Sequence, residues 1–168
     1  MLGHAEPPTT SGTLINLRPP AARRANERPI RVLVADGSRL VAESLICAFA
    51  TNERLEPVGY ALDGWEAVEL ATALEPDVIV VGAELDGLDS LSFTRLADRV
   101  WPRTSIVLLA DEQPLAETDR GQAFTSALFV STARPVNELM NTIEQASARE
   151  AAFERIAADM GLRTRLGA

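Results

Sequence analysis

Lysine is absent. All sixteen basic residues of the 168-residue chain are arginines, so chemistry that depends on a lysine ammonium is excluded. Histidine occurs once, as His4, in a stretch with no core pattern around it. Cysteine also occurs once. Cys47 therefore has no internal disulfide partner, and its place inside an apolar helical pattern predicts a small buried hydrophobe and a cytoplasmic setting. No apolar run approaches the roughly 20 residues that a membrane helix needs, and the N-terminus lacks the apolar core of a secretory signal. No G-x-G-x-x-G follows the first predicted strand, which argues against a dinucleotide site. No G-x-S-x-G frames Ser38, so that serine is expected to cap a helix rather than to attack a substrate. Neither an enzyme's nucleophile nor a cofactor is expected.

The charge is lopsided. Residues 1–29 carry four arginines against two glutamates, and the rest of the chain carries twelve basic against twenty-two acidic residues. A body with a net charge of −10 within a total of −8 offers no broad phosphate-binding surface, and direct nucleic-acid binding is not expected.

Residues 1–28, rich in Pro, Thr, Ala, Gly and Arg, read as a disordered tail with polyproline character. Thr13-Leu14-Ile15-Asn16-Leu17 is its one apolar patch, either a short docking segment or simply unstructured chain. From Ile30 the texture changes. Ile30–Ala35 is a strand ending in Asp36-Gly37-Ser38, and Leu40, Val41, Leu45, Ala48 and Phe49 then recur at helical spacing. Glu56–Ala61 is a short strand placed near an edge, because Pro57 cannot donate to a ladder. Ala67, Val68, Ala71 and Leu74 mark a second helix, closed by Pro76.

Val78-Ile79-Val80-Val81 follows without polar alternation, as in a strand buried on both faces. It stops at Gly82, and the acidic loop Ala83–Asp89 comes next. Leu91, Thr94, Ala97 and Val100 give a third helix, Ser105–Ala110 a fourth strand, Pro114–Phe124 a helix with a thin apolar face, and Ala127–Val130 a fifth strand. Five strands alternating with helices call for parallel β/α units with right-handed crossovers. The expected fold is α/β, a flavodoxin-like (βα)5 three-layer sandwich around a central five-stranded parallel sheet. Pro135 opens a last helix longer than that fold needs: Leu139, Ile143, Ala146, Phe153, Ala157 and Met160 keep a 3–4 spacing over about 39 Å. Such a projecting stripe serves association, or else the helix folds back or frays. Trp65 and Trp101 are placed at helix edges, for partial burial or for contact with a partner.

The segments IRVLVADGSRLVAESL, ALDGWEAVELATALEPDVIVV and GLDSLSFTRLADRVWPRTSIVLLA together resemble the receiver domain of bacterial two-component response regulators, most of all the subgroup with helix-turn-helix outputs. The resemblance covers roughly residues 30–146. It divides the chain into a tail (1–28), a receiver-like domain (29–146) and a C-terminal helical extension (147–168). It also implies a chemistry: an aspartate ending the third strand accepts a phosphoryl group, two acidic residues after the first strand hold Mg²⁺, a hydroxyl ends the fourth strand, and a lysine follows the fifth.

Position by position, that chemistry is missing. The acceptor matches Gly82. The acidic pair matches Asp36 and Gly37, the hydroxyl Ala110 and the lysine Ser131. The aromatic reporter of the fifth strand matches Leu128, with Phe129 on the opposite face. The implied function is a pseudo-receiver: a non-enzymatic module working through protein contacts with other regulators, a kinase or a second copy through the last helix. Leu128, Phe129, Leu139 and Ile143 are its expected interaction surface. Two alternatives stand beside it. Ser147–Leu162 resembles a fragment of a helix-turn-helix output, with too few residues for the whole domain. The carboxylates Asp36, Glu84, Asp86, Asp89 and Asp111 form either a solvated rim or a cation or small-ligand site, with Asp36, Glu84 and Asp111 as candidate ligands, and their mutual repulsion favours one of them keeping a proton.

Overall fold

The computed structural model describes residues 28–111 and 127–159. The tail before Arg28, the helix expected over Pro114–Phe124 and the chain from Met160 onward lie outside the described residues. The body is a single parallel sheet of β1 (Ile30–Ala35), β2 (Leu55–Ala61), β3 (Val78–Gly82), β4 (Ser105–Ala110) and β5 (Leu128–Ser131). Its spatial order is β2-β1-β3-β4-β5. This is the predicted five-stranded parallel sandwich. β2 is an edge strand, and Pro57 lies beside the register break between Val32 and Leu33, where a missing N–H disrupts least.

The helices are α1 (Arg39–Phe49), α2 (Gly64–Leu74), α3 (Ser90–Val100) and α4 (Val136–Asp159). They cover both faces because the strand side chains alternate. Val32, Val34, Val78, Val80, Val107, Leu109 and Val130 pack beneath α1 and α4. Leu33, Ala35, Ile79, Val81, Ile106 and Leu108 pack beneath α2 and α3. Leu128 joins the first cluster and Phe129 the second, on opposite faces as expected.

Two side chains hold the ends of the layers. At the amino edge Asp77 accepts from the Arg31 N–H at 2.8 Å and from Arg28 Nη2 at 2.7 Å. Its carbonyl receives the Ser105 N–H at 3.0 Å, so one residue ties the starts of β1, β3 and β4 together. On the other side Tyr60 is buried, and its hydroxyl donates to Glu43 while accepting from Arg39.

Three expectations are corrected. Cys47 is exposed, because the stripe of α1 that meets the sheet is Ala42, Ile46 and Phe49, not the positions flanking them. Leu40, two residues before that stripe begins, is 77% exposed. The expected interaction surface loses Leu139 and Ile143. They are 2% and 0% exposed, because with Ala146 they lay α4 onto the sheet, and they are not free for a partner. Past Ala146 the same helix runs on unbroken to Asp159, and Ile156 stands in solvent.

The two halves of α4 therefore differ in what they contribute. Ile143→Ala should lower unfolding stability by about 2–5 kcal/mol, whereas Ile156→Ala should change it by less than about 0.5 kcal/mol. Chemical denaturation monitored by far-UV circular dichroism measures both.

Candidate functional site

The chain turns from β1 toward β2 in one direction and then crosses to β3 on the other side of β1. In a parallel sheet such a switch opens a crevice beyond the carboxyl ends of the two strands. The register pairs Ala35 with Val81, so the next residues, Asp36 and Gly82, end side by side. That crevice is filled from within. Asp36 is 9% exposed. A Cβ built on Gly82 would fall onto Asp36 Oδ2 and lie only 2.7 Å from its Cγ. The carboxylate of Asp36 occupies the space that any side chain at position 82 would need.

The second glycine of the pair has the same logic on the backbone. The Gly37 N–H donates to the Glu84 carbonyl at 2.8 Å, and a Cβ at Gly37 would sit 2.6 Å from that oxygen. An acidic residue at position 37 would push the loop off. Gly82 admits a side chain and Gly37 admits a backbone; together they let the acidic loop close down on the sheet. Its other end is fastened too. The Gly64 N–H donates to the Asp86 carbonyl at 2.9 Å, and Ser90 Oγ donates to the Gly82 carbonyl at 2.5 Å. The loop is thus stitched to the β1–α1 turn, the β2–α2 turn and α3.

Helix caps complete the edge. Ser38 caps α1 as expected, accepting from the Val41 N–H. Asp63 caps α2, accepting from the N–H groups of Trp65 and Glu66. Asp89 caps α3, accepting from those of Leu91 and Ser92. Hydrogen bonds from Ser92 and then Leu91 hold the Asp89 carboxyl below the ordinary carboxylate range. Asp36 goes the other way. Burial raises it most, the neighbouring charge of Glu84 adds to this, and the Ser38 N–H, donating to Oδ1 at 2.8 Å, only partly opposes them. The carboxyl of Asp36 is thus held above the ordinary carboxylate range.

The candidate cation ligands do not converge. Asp36 is committed to Ser38 and to the space over Gly82, Glu84 is exposed, and Asp111 accepts from the Thr132 hydroxyl beyond the end of β4. Among the described residues no group of three His, Cys, Asp or Glu side chains is placed to hold a metal ion. Ala110 is buried and has no hydroxyl to offer, and Ser131 Oγ donates to the Asp111 carbonyl and receives the Ala133 N–H. Beside them lies an open depression of about 320 Å³ lined by Val81, Ala83, Ser90, Leu108 and Ala110 among others. Trp101 is half-buried with its ring 6.1 Å from that of Phe93. Trp65 is 58% exposed and lies over the loop: a Cβ at Gly87 would be 3.0 Å from its Cδ1.

Sequence reasoning found Gly82, Gly37, Ala110 and Ser131 as absences. It missed that Asp36 fills the space over Gly82 and that Glu84 bonds to Gly37. The available signal was two glycines at equivalent ends of neighbouring strands, one next to an aspartate.

No family model matches the chain. Curated relatives do. Over 68 residues, 40% of this chain and 19% of the relative, it is 43% identical to a protein-glutamate methylesterase/protein-glutamine glutaminase of Anaeromyxobacter dehalogenans. A second such protein of that organism is 31% identical over 114 residues, 68% of this chain and 32% of its own length. The chain spans about a fifth to a third of the length of these curated relatives.

Among solved structures, the response regulator domain of Thermotoga maritima CheB superposes with a TM-score of 0.64 at 29% identity, covering 72% of this chain and 98% of that one. The signal receiver domain of the response regulator NarL from Mycobacterium tuberculosis shares the fold, with a TM-score of 0.64 at 22% identity over 71% of this chain and 97% of that one. These sequence relatives are methylesterases, which corrects the expected leaning toward regulators with helix-turn-helix outputs.

Two measurements test the site. Gly82→Ala should cost about 1–3 kcal/mol of stability. In an Asp36→Ala background the cost should drop by at least about 1 kcal/mol, the coupling expected of residues that compete for one space; equal costs in both backgrounds would contradict the packing described. The pH dependence has a definite sign. A carboxyl raised in the folded state contributes stability that is complete below its unfolded value, near 3.9 for Asp, and is lost as pH rises through the folded value. Asp36→Asn keeps the acceptor for Ser38 and removes the charge. Its stability relative to the parent should therefore increase with pH across that window, by about 1.4 kcal/mol per unit, and level off above it. Thermal unfolding from pH 3.5 to 8 reads this.

Proposed function

The folded body of this chain is a receiver domain of the response-regulator class, and from that premise we propose that it works as a pseudo-receiver, a signalling module that acts through protein–protein contacts without phosphorylation of an aspartate. The observation that carries this reading is the Asp36 carboxylate seated over Gly82. Phosphoryl transfer needs a carboxylate nucleophile, a divalent cation held by several oxygens and a cation on the equatorial oxygens. Here the acceptor position has no side chain, the remaining acid is buried against it, the second acid is Gly37, and the chain has no lysine. A population of receiver conformers cannot be shifted by a group that cannot be attached.

The matches to methylesterases cover only their receiver portion, and we assign no esterase chemistry to residues 29–146. Partners are other proteins of the signalling system, a kinase or a regulator, met in the cytoplasm. No helix among the described residues is long and apolar enough to cross a membrane. Self-association, where it occurs, uses α4 beyond Ala146, since the inner half of that helix is taken by the sheet. The acidic body repels nucleic acid.

Incubation of the full chain with a small acyl-phosphate donor and Mg²⁺, followed by intact-mass measurement, should leave the mass unchanged. A stoichiometric gain of one phosphoryl group would overturn the proposal.

A further inference from the structure

The carboxyl edge of the sheet carries a surface that the fold does not use. Leu40, in the first turn of α1, is almost wholly exposed, and Trp65, in the first turn of α2, is more than half exposed. Between them runs the acidic loop. Glu84 bonds by its carbonyl to Gly37 at the foot of α1, and Asp86 bonds by its carbonyl to Gly64 at the start of α2. Both residues are exposed. Among the described residues no arginine pairs with Glu84, Asp86 or Asp89. The strip is apolar at both ends and negative in the middle. It does not match a copy of itself, because two such strips face to face oppose like charges.

A segment of the complementary kind precedes β1 in the chain. Thr13–Arg24 reads TLINLRPPAARR, with Leu14, Ile15 and Leu17 followed by Arg18, Arg23 and Arg24 and no acidic residue. Its reach is sufficient. Arg28 is tied to Asp77 at the amino edge, so the preceding chain starts from there. β1 spans six residues, about 20 Å at roughly 3.3 Å each. The twelve residues between Leu17 and Ile30 can extend to about 40 Å.

We propose that Thr13–Arg24 docks on this edge of its own domain, with its leucine and isoleucine side chains against Leu40 and Trp65 and Arg18 over Glu84 and Asp86, while Arg23 and Arg24 lie on the path from the amino edge. Tethering makes the contact intramolecular, so a weak surface suffices at the high effective concentration of a short linker. The docked segment covers the edge that an incoming partner would meet, and a partner must displace it. The proposal does not rest on the absence of phosphorylation.

Cys47 supplies the probe. It is the chain's one cysteine and is exposed on α1, seven residues or about 10 Å of helix from Leu40. A nitroxide attached there to the ¹⁵N-labelled full chain should broaden the amide signals of Thr13–Arg24 at least twofold relative to the reduced label. Arg18→Glu/Arg23→Glu/Arg24→Glu should abolish the effect, and so should Leu40→Ser, while the spectrum of the body stays unchanged. Tail signals no more broadened than those of residues 1–6 would overturn the proposal. So would broadening that appears when the nitroxide and the isotope are on separate chains, which would assign the segment to a neighbouring molecule.

Discussion

Everything at the carboxyl edge depends on one steric exchange: the carboxylate of Asp36 takes the volume left empty by Gly82. Restoring a side chain at position 82 would displace a buried acid, and restoring an acid at position 37 would displace the Glu84 carbonyl. Each of the two departures from the receiver pattern is thus tied to a neighbour across space, Gly82 to Asp36 and Gly37 to Glu84. A single substitution does not repair both. The loop has closed around its own vacancy, held at Gly37, Gly64 and Gly82 by hydrogen bonds of 2.5–2.9 Å.

That closure sets the electrostatics. A buried carboxylate with a single backbone donor is poorly compensated, since a hydrogen bond to a charged group contributes about 1.5–3 kcal/mol against a desolvation cost of several. Burial therefore raises the Asp36 carboxyl above the usual carboxylate range. Asp89, at the N-terminus of α3 with several donors, is the opposite case on the same edge. Two aspartates a few residues from the same strand ends thus separate in ionisation because one cap is wet and generously bonded and the other is buried beside a like charge.

The rest of the domain is ordinary, and that is informative. Both faces of the sheet are covered, Asp77 clamps the amino edge, and among the described helices α4 alone runs well past its buried stripe. The fold is that of a receiver domain, and the carboxyl edge of its sheet carries packing, loop and exposed surface.

Much of this was legible in the residues themselves. Continuous apolar runs such as Val78–Val81 announce strands buried on both faces, Pro57 announces an edge, and Ser38 announces a cap, because each is a local property of backbone and side chain. The absences at Gly82, Gly37, Ala110 and Ser131 were equally plain. Which apolar positions face the sheet was not. Periodicity admits Leu40 or Ala42, and it admits Cys47 or Ile46; only the docking angle of α1 decides, and it buries Ala42 and Ile46 while leaving Leu40 and Cys47 in water. Leu139 and Ile143 likewise read as a surface until α4 is laid on β4 and β5. Composition and order along the chain settled the architecture and the residue types at the ends of the strands. Tertiary structure alone decided what fills the vacancy, because the meeting of Asp36 with Gly82 depends on the register of two strands that are distant in sequence and adjacent only in space.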